Sequence, residues 1–173
     1  MTTDTPLLIR PSTSQDMAFI TAIYAENVLN GLGTFEIEPP DEVEMTARRN
    51  AILQHGLPYL VADRAGDVVG FAYANLYRPR AAYRHTVEDS VYIRDGQRGT
   101  GIGKALLSEI INLSRAAGRQ QMVAVIGDSG NRGSINLHKS LGFRLVGILE
   151  AVGYKHGRWV DTVIMQKSLK VSD

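Results

Sequence analysis

The segment Arg98-Gly-Thr-Gly-Ile-Gly-Lys104 places three glycines between two cationic side chains. Glycine permits positive φ and lets backbone N–H groups close on an anion, and a helix that starts at such a turn adds its positive end. The chemistry this suits is the cradling of a phosphate or pyrophosphate. The spacing is neither G-x-x-x-x-G-K-[ST] nor G-x-G-x-x-G, so the two commonest nucleotide turns are excluded. Just upstream, His85 and Glu88 are groups able to take a proton from an amine. Arg78, Arg80 and Arg84 fall within seven residues, beside Tyr77 and Tyr83. That concentration suits a carboxylate or another oxyanion. The chain has no cysteine, so a disulfide framework, a thiolate zinc site and a Cys-borne acyl intermediate are all excluded.

These groups need elements to hold them. Leu7–Arg10 reads as a short strand. Ser12 with Gln15 forms a capping-box pattern before a helix with Met17, Ile20, Ile23, Tyr24 and Val28 on one side, and Asn30-Gly31 stops it. Residues 31–40 read as loop, and Asp41 opens a second helix that runs to His55-Gly56. The period then changes to two. Tyr59–Asp63 and Val68–Ala74 flank a hairpin turn at Arg64-Ala-Gly-Asp67, and the loop from Tyr77 to His85 leads to a strand at Ser90–Ile93. The glycine-rich turn, a helix over Gly101–Ala117, a strand at Met122–Ile126 and a helix over Arg132–Leu141 follow. Phe143–Val152 and Trp159–Ser168 read as strands around a turn at 154–158. The order β-αα-βββ-α-β-α-ββ predicts one α+β domain over residues 1–173.

The net charge is +1 on 173 residues, which argues against bulk binding to nucleic acid or to a membrane surface. The charge is uneven, with 7 basic and 10 acidic side chains in residues 1–86 and 12 and 8 in residues 87–173. No apolar run is long enough to span a membrane, and Met1–Pro6 lacks a basic-then-apolar signal; a cytoplasmic protein is expected.

Arg98-x-x-Gly101-x-Gly103, following the strand Val91-Tyr92-Ile93, resembles the R/Q-x-x-G-x-G/A signature of the GNAT acetyltransferases. Asn131 before the helix at 132–141, followed by Leu141-Gly142-Phe143, resembles the later coenzyme-contacting helix of that superfamily. The stretches Tyr83–Tyr92, Val123-Ala-Val-Ile-Gly127 and Gly153-Tyr-Lys-His-Gly-Arg-Trp-Val-Asp161 are similar to the phosphinothricin and methionine sulfoximine N-acetyltransferases. The resemblance spans residues 7–169 and implies a mixed, mostly antiparallel sheet of about seven strands flanked by helices.

It also implies roles. Acetyl-CoA would be held by the backbone from Gly99 through Thr100, Gly101, Ile102 and Gly103 to Lys104, with Arg98 beside it. Val91, Tyr92 and Ile93 would pair with the pantetheine arm as with an added strand. Asn131, Ser134 and Ser140 would make further coenzyme contacts. Glu88 would be the general base toward a small amino-acid acceptor, with His85 its rival. Phe35, Tyr77, Arg78, Tyr83, His85 and Glu88 would form the acceptor side. The superfamily's usual tyrosine acid is replaced by His138, which could protonate the leaving thiolate, hydrogen-bond the coenzyme or be structural. Trp159 and Asp161 could support the pocket or a subunit interface, and the resemblance implies a homodimer. A peptide or protein N-terminus as acceptor, and a coenzyme-binding module without turnover, are the competing readings.

Overall fold

Two-residue alternation in the sequence becomes strand and the 3.6-residue period becomes helix. In the computed structural model, which describes residues 6–170, the order is β1 (Leu7–Pro11), α1 (Met17–Asn30), α2 (Glu42–Gln54), β2 (Tyr59–Arg64), β3 (Asp67–Leu76), β4 (Thr86–Ile93), α3 (Ile102–Ala116), β5 (Gln121–Gly127), α4 (Arg132–Ser140), β6 (Arg144–Lys155) and β7 (Arg158–Ser168). The reading of the first five residues as free of a signal sequence lies outside the described residues. So do the outer ends of the expected domain.

Seven strands form one sheet in the order β1-β2-β3-β4-β5-β7-β6. All neighbours are antiparallel except β4 and β5, as expected of a mixed, mostly antiparallel sheet. α3 packs on β2, β3 and β4, and its Leu106, Leu107 and Ile110 are fully buried. α1 covers the other face, where Tyr24 meets Tyr92 edge-on at 5.0 Å and Tyr92 stacks on Phe71 at 5.2 Å.

Three local readings are corrected. The start of the first helical segment is fastened at Thr13 and Asp16 rather than Ser12 and Gln15: the Asp16 carboxylate accepts from the Thr13 N–H at 2.7 Å and is paired with Arg10 at 2.8 Å. A guanidinium across the turn selects an acidic partner, and it holds Asp16 down to about 2. β4 begins at Thr86, not Ser90, because β5 pairs with it from Thr86 on and β3 from Val87 on, and Asp89 finds a buried partner in His138, which local propensity does not register. β6 runs on to Lys155, and the last hairpin turns at His156-Gly157, whose φ of 52° and 73° fit a tight two-residue turn.

Candidate active site

Strands β4 and β5 pair only from Thr86 opposite Gln121 to Asp89 opposite Ala124. Beyond that point β4 stays on β3 as far as Ile93, and β5 stays on β7 as far as Gly127. The two central strands therefore part like a V. Ser90–Ile93 present an unpaired backbone edge to the gap, and unpaired N–H and C=O groups are a template for an extended ligand. The gap opens into a cleft of about 680 Å³, reached by Val91, Tyr92 and Ile93 on one arm and Val125, Ile126 and Gly127 on the other.

At the mouth of this cleft lies the start of α3. Gly101 sits at the helix cap with φ of 86°, in the left-handed region that a residue with a Cβ enters only at a cost. The first bond of the helix is from Ala105 N–H to the Gly101 carbonyl at 3.1 Å. The amides of Ile102, Gly103 and Lys104 precede it and so have no intrahelical acceptor. Arg98, Gly99, Gly101, Gly103 and Lys104 all line the cleft. Arg98 and Lys104 are exposed beside it, and Arg98 reaches Asn27 Oδ1 at 3.3 Å. Cationic side chains, free amides and the positive end of a helix thus border the same cleft, the combination that favours an anion. Two expected contacts narrow: the Ile102 side chain is buried core, so only its amide is available, and the Thr100 hydroxyl donates to the Gln97 carbonyl at 2.7 Å.

On the far wall, Asn131 caps α4 by accepting from Ser134 N–H at 3.2 Å, and both residues line the cleft. Ser140, two residues past His138 and exposed, donates to the Leu137 carbonyl at 2.7 Å and does not line the cleft.

The vertex of the V carries the titratable groups. Alternation along β4 sends Glu88 to the face covered by α1 and α2, and Asp89 to the face covered by α3 and α4. Burial and the neighbouring Asp89 charge push the Glu88 carboxyl up to about 7, against a smaller opposing pull from Arg78. Near neutrality it is thus half ionised, as a proton acceptor working at that pH should be. Asp89 accepts from His138 Nε2 at 2.8 Å, with the two side chains 2% and 5% exposed. His138 Nδ1 lies 2.7 Å from the Ser134 carbonyl, which can only accept. The ring can donate to both acceptors only when protonated; burial opposes that charge, and the pairing with Asp89 outweighs it, so the His138 pKa lies above its ordinary value. Both N–H groups are committed, so donating one to a leaving group requires breaking a buried bond.

The Tyr77–His85 loop sits beyond the N-terminal end of β4. Arg78 stacks over the Tyr77 ring at 5.2 Å, and Tyr77 meets Tyr83 edge-on at 5.6 Å. Of the three loop arginines, Arg78 is the one whose charge reaches Glu88. His85 is exposed, and its carbonyl accepts from Gln120 N–H at 2.8 Å. Phe35 lies on the 31–36 loop with its ring over Gly127 and Gly153. None of Phe35, Tyr77, Arg78, Tyr83, His85 and Glu88 lines the main cleft, so the residues expected at the coenzyme and those expected at the acceptor fall into two groups. The sequence reading missed Asp89, Asn27 and the cleft-lining loop at Gly31-Leu32-Gly33. For Asp89 a signal existed: it interrupts the apolar side Val87-x-Asp89-x-Val91-x-Ile93.

A family model described as acetyltransferase (GNAT) domain matches residues 9–164. The chain is 48% identical to phosphinothricin N-acetyltransferase of Alcaligenes faecalis, over 95% of this chain and 84% of that protein. It is 44% identical to an L-methionine sulfoximine/L-methionine sulfone acetyltransferase of Pseudomonas paraeruginosa, over 93% and 94% of the two chains. The crystal structure of a GNAT superfamily phosphinothricin acetyltransferase from Sinorhizobium meliloti, in complex with acetyl-CoA, superposes with a TM-score of 0.91 at 49% identity, covering 94% of this chain and 88% of that one.

Proposed function

The chain belongs to the GNAT acetyltransferases, and from that membership we propose that it moves an acetyl group from acetyl-CoA to the α-amino group of a small amino acid, phosphinothricin or methionine sulfoximine/sulfone. The observation that carries this reading is Glu88 at the point where β4 and β5 separate. A carboxyl poised near 7 there can serve an amine arriving from one side and an acyl donor lying in the gap.

The residues present fit the coenzyme. The amides from Gly99 to Lys104, with Arg98 and Lys104, answer a pyrophosphate; the free edge at Val91, Tyr92 and Ile93 answers the amides of the pantetheine arm; Asn131 and Ser134 line the opposite wall. Acetyl-CoA supplies the activated acyl group. Glu88, directly or through a water, removes the proton from an ammonium whose ordinary pKa is about 7.7–8.0. The freed amine attacks the thioester carbonyl directly in a ternary complex, and a backbone N–H of Val91–Ile93 receives the developing oxyanion. As the C–N bond forms the C–S bond breaks, and coenzyme A leaves as a thiolate that takes up the proton released by the acylated nitrogen. Arg78, with Tyr77, Tyr83 and His85 near it, would bind the acceptor's acidic groups, and Phe35 would wall its pocket. His138 lines the cleft with both nitrogens facing acceptors, and of the three roles open to it this arrangement favours the structural one, holding Asp89 and the first turn of α4 in place.

The same reading takes residues 1–173 as one domain and the protein as a cytoplasmic homodimer. No helix among the described residues is long and apolar enough to cross a membrane. The edge strand β6 and its neighbour expose Leu145, Ile148, Leu149, Tyr154 and Trp159, the last 67% exposed, a patch suited to a second copy.

The test is thiol release from acetyl-CoA with L-methionine sulfoximine, phosphinothricin, plain amino acids and a short peptide as separate acceptors. Release with either inhibitor and little with peptide is expected. Turnover only with peptide moves the acceptor to a protein N-terminus, and binding of acetyl-CoA without turnover on any acceptor overturns the enzymatic role.

A further inference from the structure

Lys155 ends β6 with 3% of its surface exposed, in a stretch that the proposed mechanism does not use. Its Nζ donates to the carbonyl of Thr34 at 2.7 Å, across 121 residues of sequence. This is the one hydrogen bond its ammonium makes among the described residues. Burying a cation with one hydrogen bond and the charge of nearby Glu36 is still costly, and an apolar side chain of similar length would serve packing as well. The lysine is therefore better explained by what it holds.

It holds one side of Phe35. The Thr34 hydroxyl lies 3.0 Å from Tyr24 OH on α1. On the other side of Phe35, Glu36 accepts from Tyr24 OH and from both ends of the Arg48 guanidinium on α2, at 3.0 and 2.8 Å. Residues 34 and 36 are thus fastened to three different elements, and the ring between them has one seat. That seat is made by absence of side chain: a Cβ at Gly153 would stand 2.4 Å from the Phe35 ring, and one at Gly127 would stand 3.1 Å from it and 2.1 Å from the Leu32 carbonyl. Gly153 lies two residues before Lys155, so the strand that provides the seat also provides the fastening.

We propose that Lys155 is a positioning residue for the acceptor pocket, fixing Phe35 through Thr34 and so determining which amino-acid side chains fit. The inference rests on the reading that Phe35 walls that pocket. It predicts a split between substrates, because the pyrophosphate cradle and the free edge of β4 do not depend on this fastening.

The experiment measures acceptor KM, kcat and acetyl-CoA Kd for wild type, Lys155→Met and Gly153→Ala. Losing a charge-assisted hydrogen bond that holds the wall should raise acceptor KM about tenfold or more. Acetyl-CoA Kd should stay within about twofold, since the pyrophosphate cradle and the free edge of β4 lie on elements this fastening does not touch. Gly153→Ala leaves the lysine in place and displaces only the ring, so it should reproduce the rise even if Lys155→Met fails to fold. Because both act on one seat, the double variant should raise KM by less than the product of the single effects. An acceptor KM that does not move in Gly153→Ala or in folded Lys155→Met overturns the proposal, as does an equal rise in acetyl-CoA Kd. Wild-type protein inactive on every small acceptor would instead overturn the acceptor reading beneath it.

Discussion

Replacing Glu88 by Gln should make the protein inactive and more stable together, with the stability gain confined to one pH range. The side chain keeps its size and loses its charge. Burial and the Asp89 charge raise the Glu88 carboxyl from its ordinary 4.5 to about 7. In the folded state the charged form is disfavoured by up to about 3 kcal/mol on that displacement, and solvent on its open side leaves about 1–2 kcal/mol. The sign follows from which state holds the proton more tightly. The folded carboxyl does, so wild-type stability is fully present below pH 4.5 and is lost as the pH rises through about 7. Glutamine has no proton to lose. Wild type and Glu88→Gln should melt together at pH 4.5, and at pH 8 the variant should melt higher by about 2–6 °C for a chain of this size. Removing a general base costs about 100-fold or more in kcat, about 2.7 kcal/mol of barrier. Wild-type kcat should rise with pH through about 7, and the residual rate of the variant should lack that limb. Thermal melts at both pH values and a thiol-release assay on the same preparations measure all of this, with acetyl-CoA titration to check that Kd is unchanged. A variant that keeps kcat within about threefold refutes Glu88 as the base. A melting gain of equal size at pH 4.5 and pH 8 refutes the account of its pKa.

Three further outcomes are expected. Gly101→Ala forces a Cβ into left-handed backbone at the cap of α3 and should cost about 1–2 kcal/mol in stability while weakening acetyl-CoA several-fold, read by melting and by titration. His138→Ala leaves Asp89 buried without its partner, and should lower stability by about 3 kcal/mol at pH 6. The deficit should shrink as the pH rises through the elevated His138 pKa, since a histidine whose pKa is raised by folding stabilises most below its ordinary value and loses that contribution above the raised one. Nitrogen chemical shifts of the ring should report imidazolium at neutral pH; a neutral tautomer there contradicts the doubly donating geometry. Trp159→Glu should convert a dimer to monomer by sedimentation velocity, and a wild-type monomer removes the interface reading altogether.

Much of the architecture was legible because it depends on local periodicity. The buried stripe of α1, the Asp41 cap of α2, the two hairpins and the glycine turn before α3 each follow from residues within one or two turns of one another. The anion cradle belongs to the same class, since a free helix N-terminus, three glycines and two cations are contiguous in the chain. The expected acceptor side rests on resemblance and not on physics. Nothing local distinguishes Glu88 from a solvated strand-end glutamate.

The sequence by itself determined the element order, the position of the glycine turn before α3 and the exclusion of a Cys-borne intermediate, because each rests on neighbouring residues or on a residue type that does not occur. Tertiary structure decided what needs distant partners. The separation of β4 from β5 after Asp89 and Ala124 created the cleft, and no property of either strand alone specifies where pairing stops. The Asp89–His138 pair joins residues 49 apart and converts a candidate proton donor into a ring with both nitrogens engaged. Lys155 finds Thr34 across 121 residues, in a turn-adjacent motif whose local reading was only a hairpin. The Glu88 carboxyl rises to about 7 because folding withdraws it from water and sets a second carboxylate beside it, since a pKa is a property of surroundings that the unfolded chain does not have.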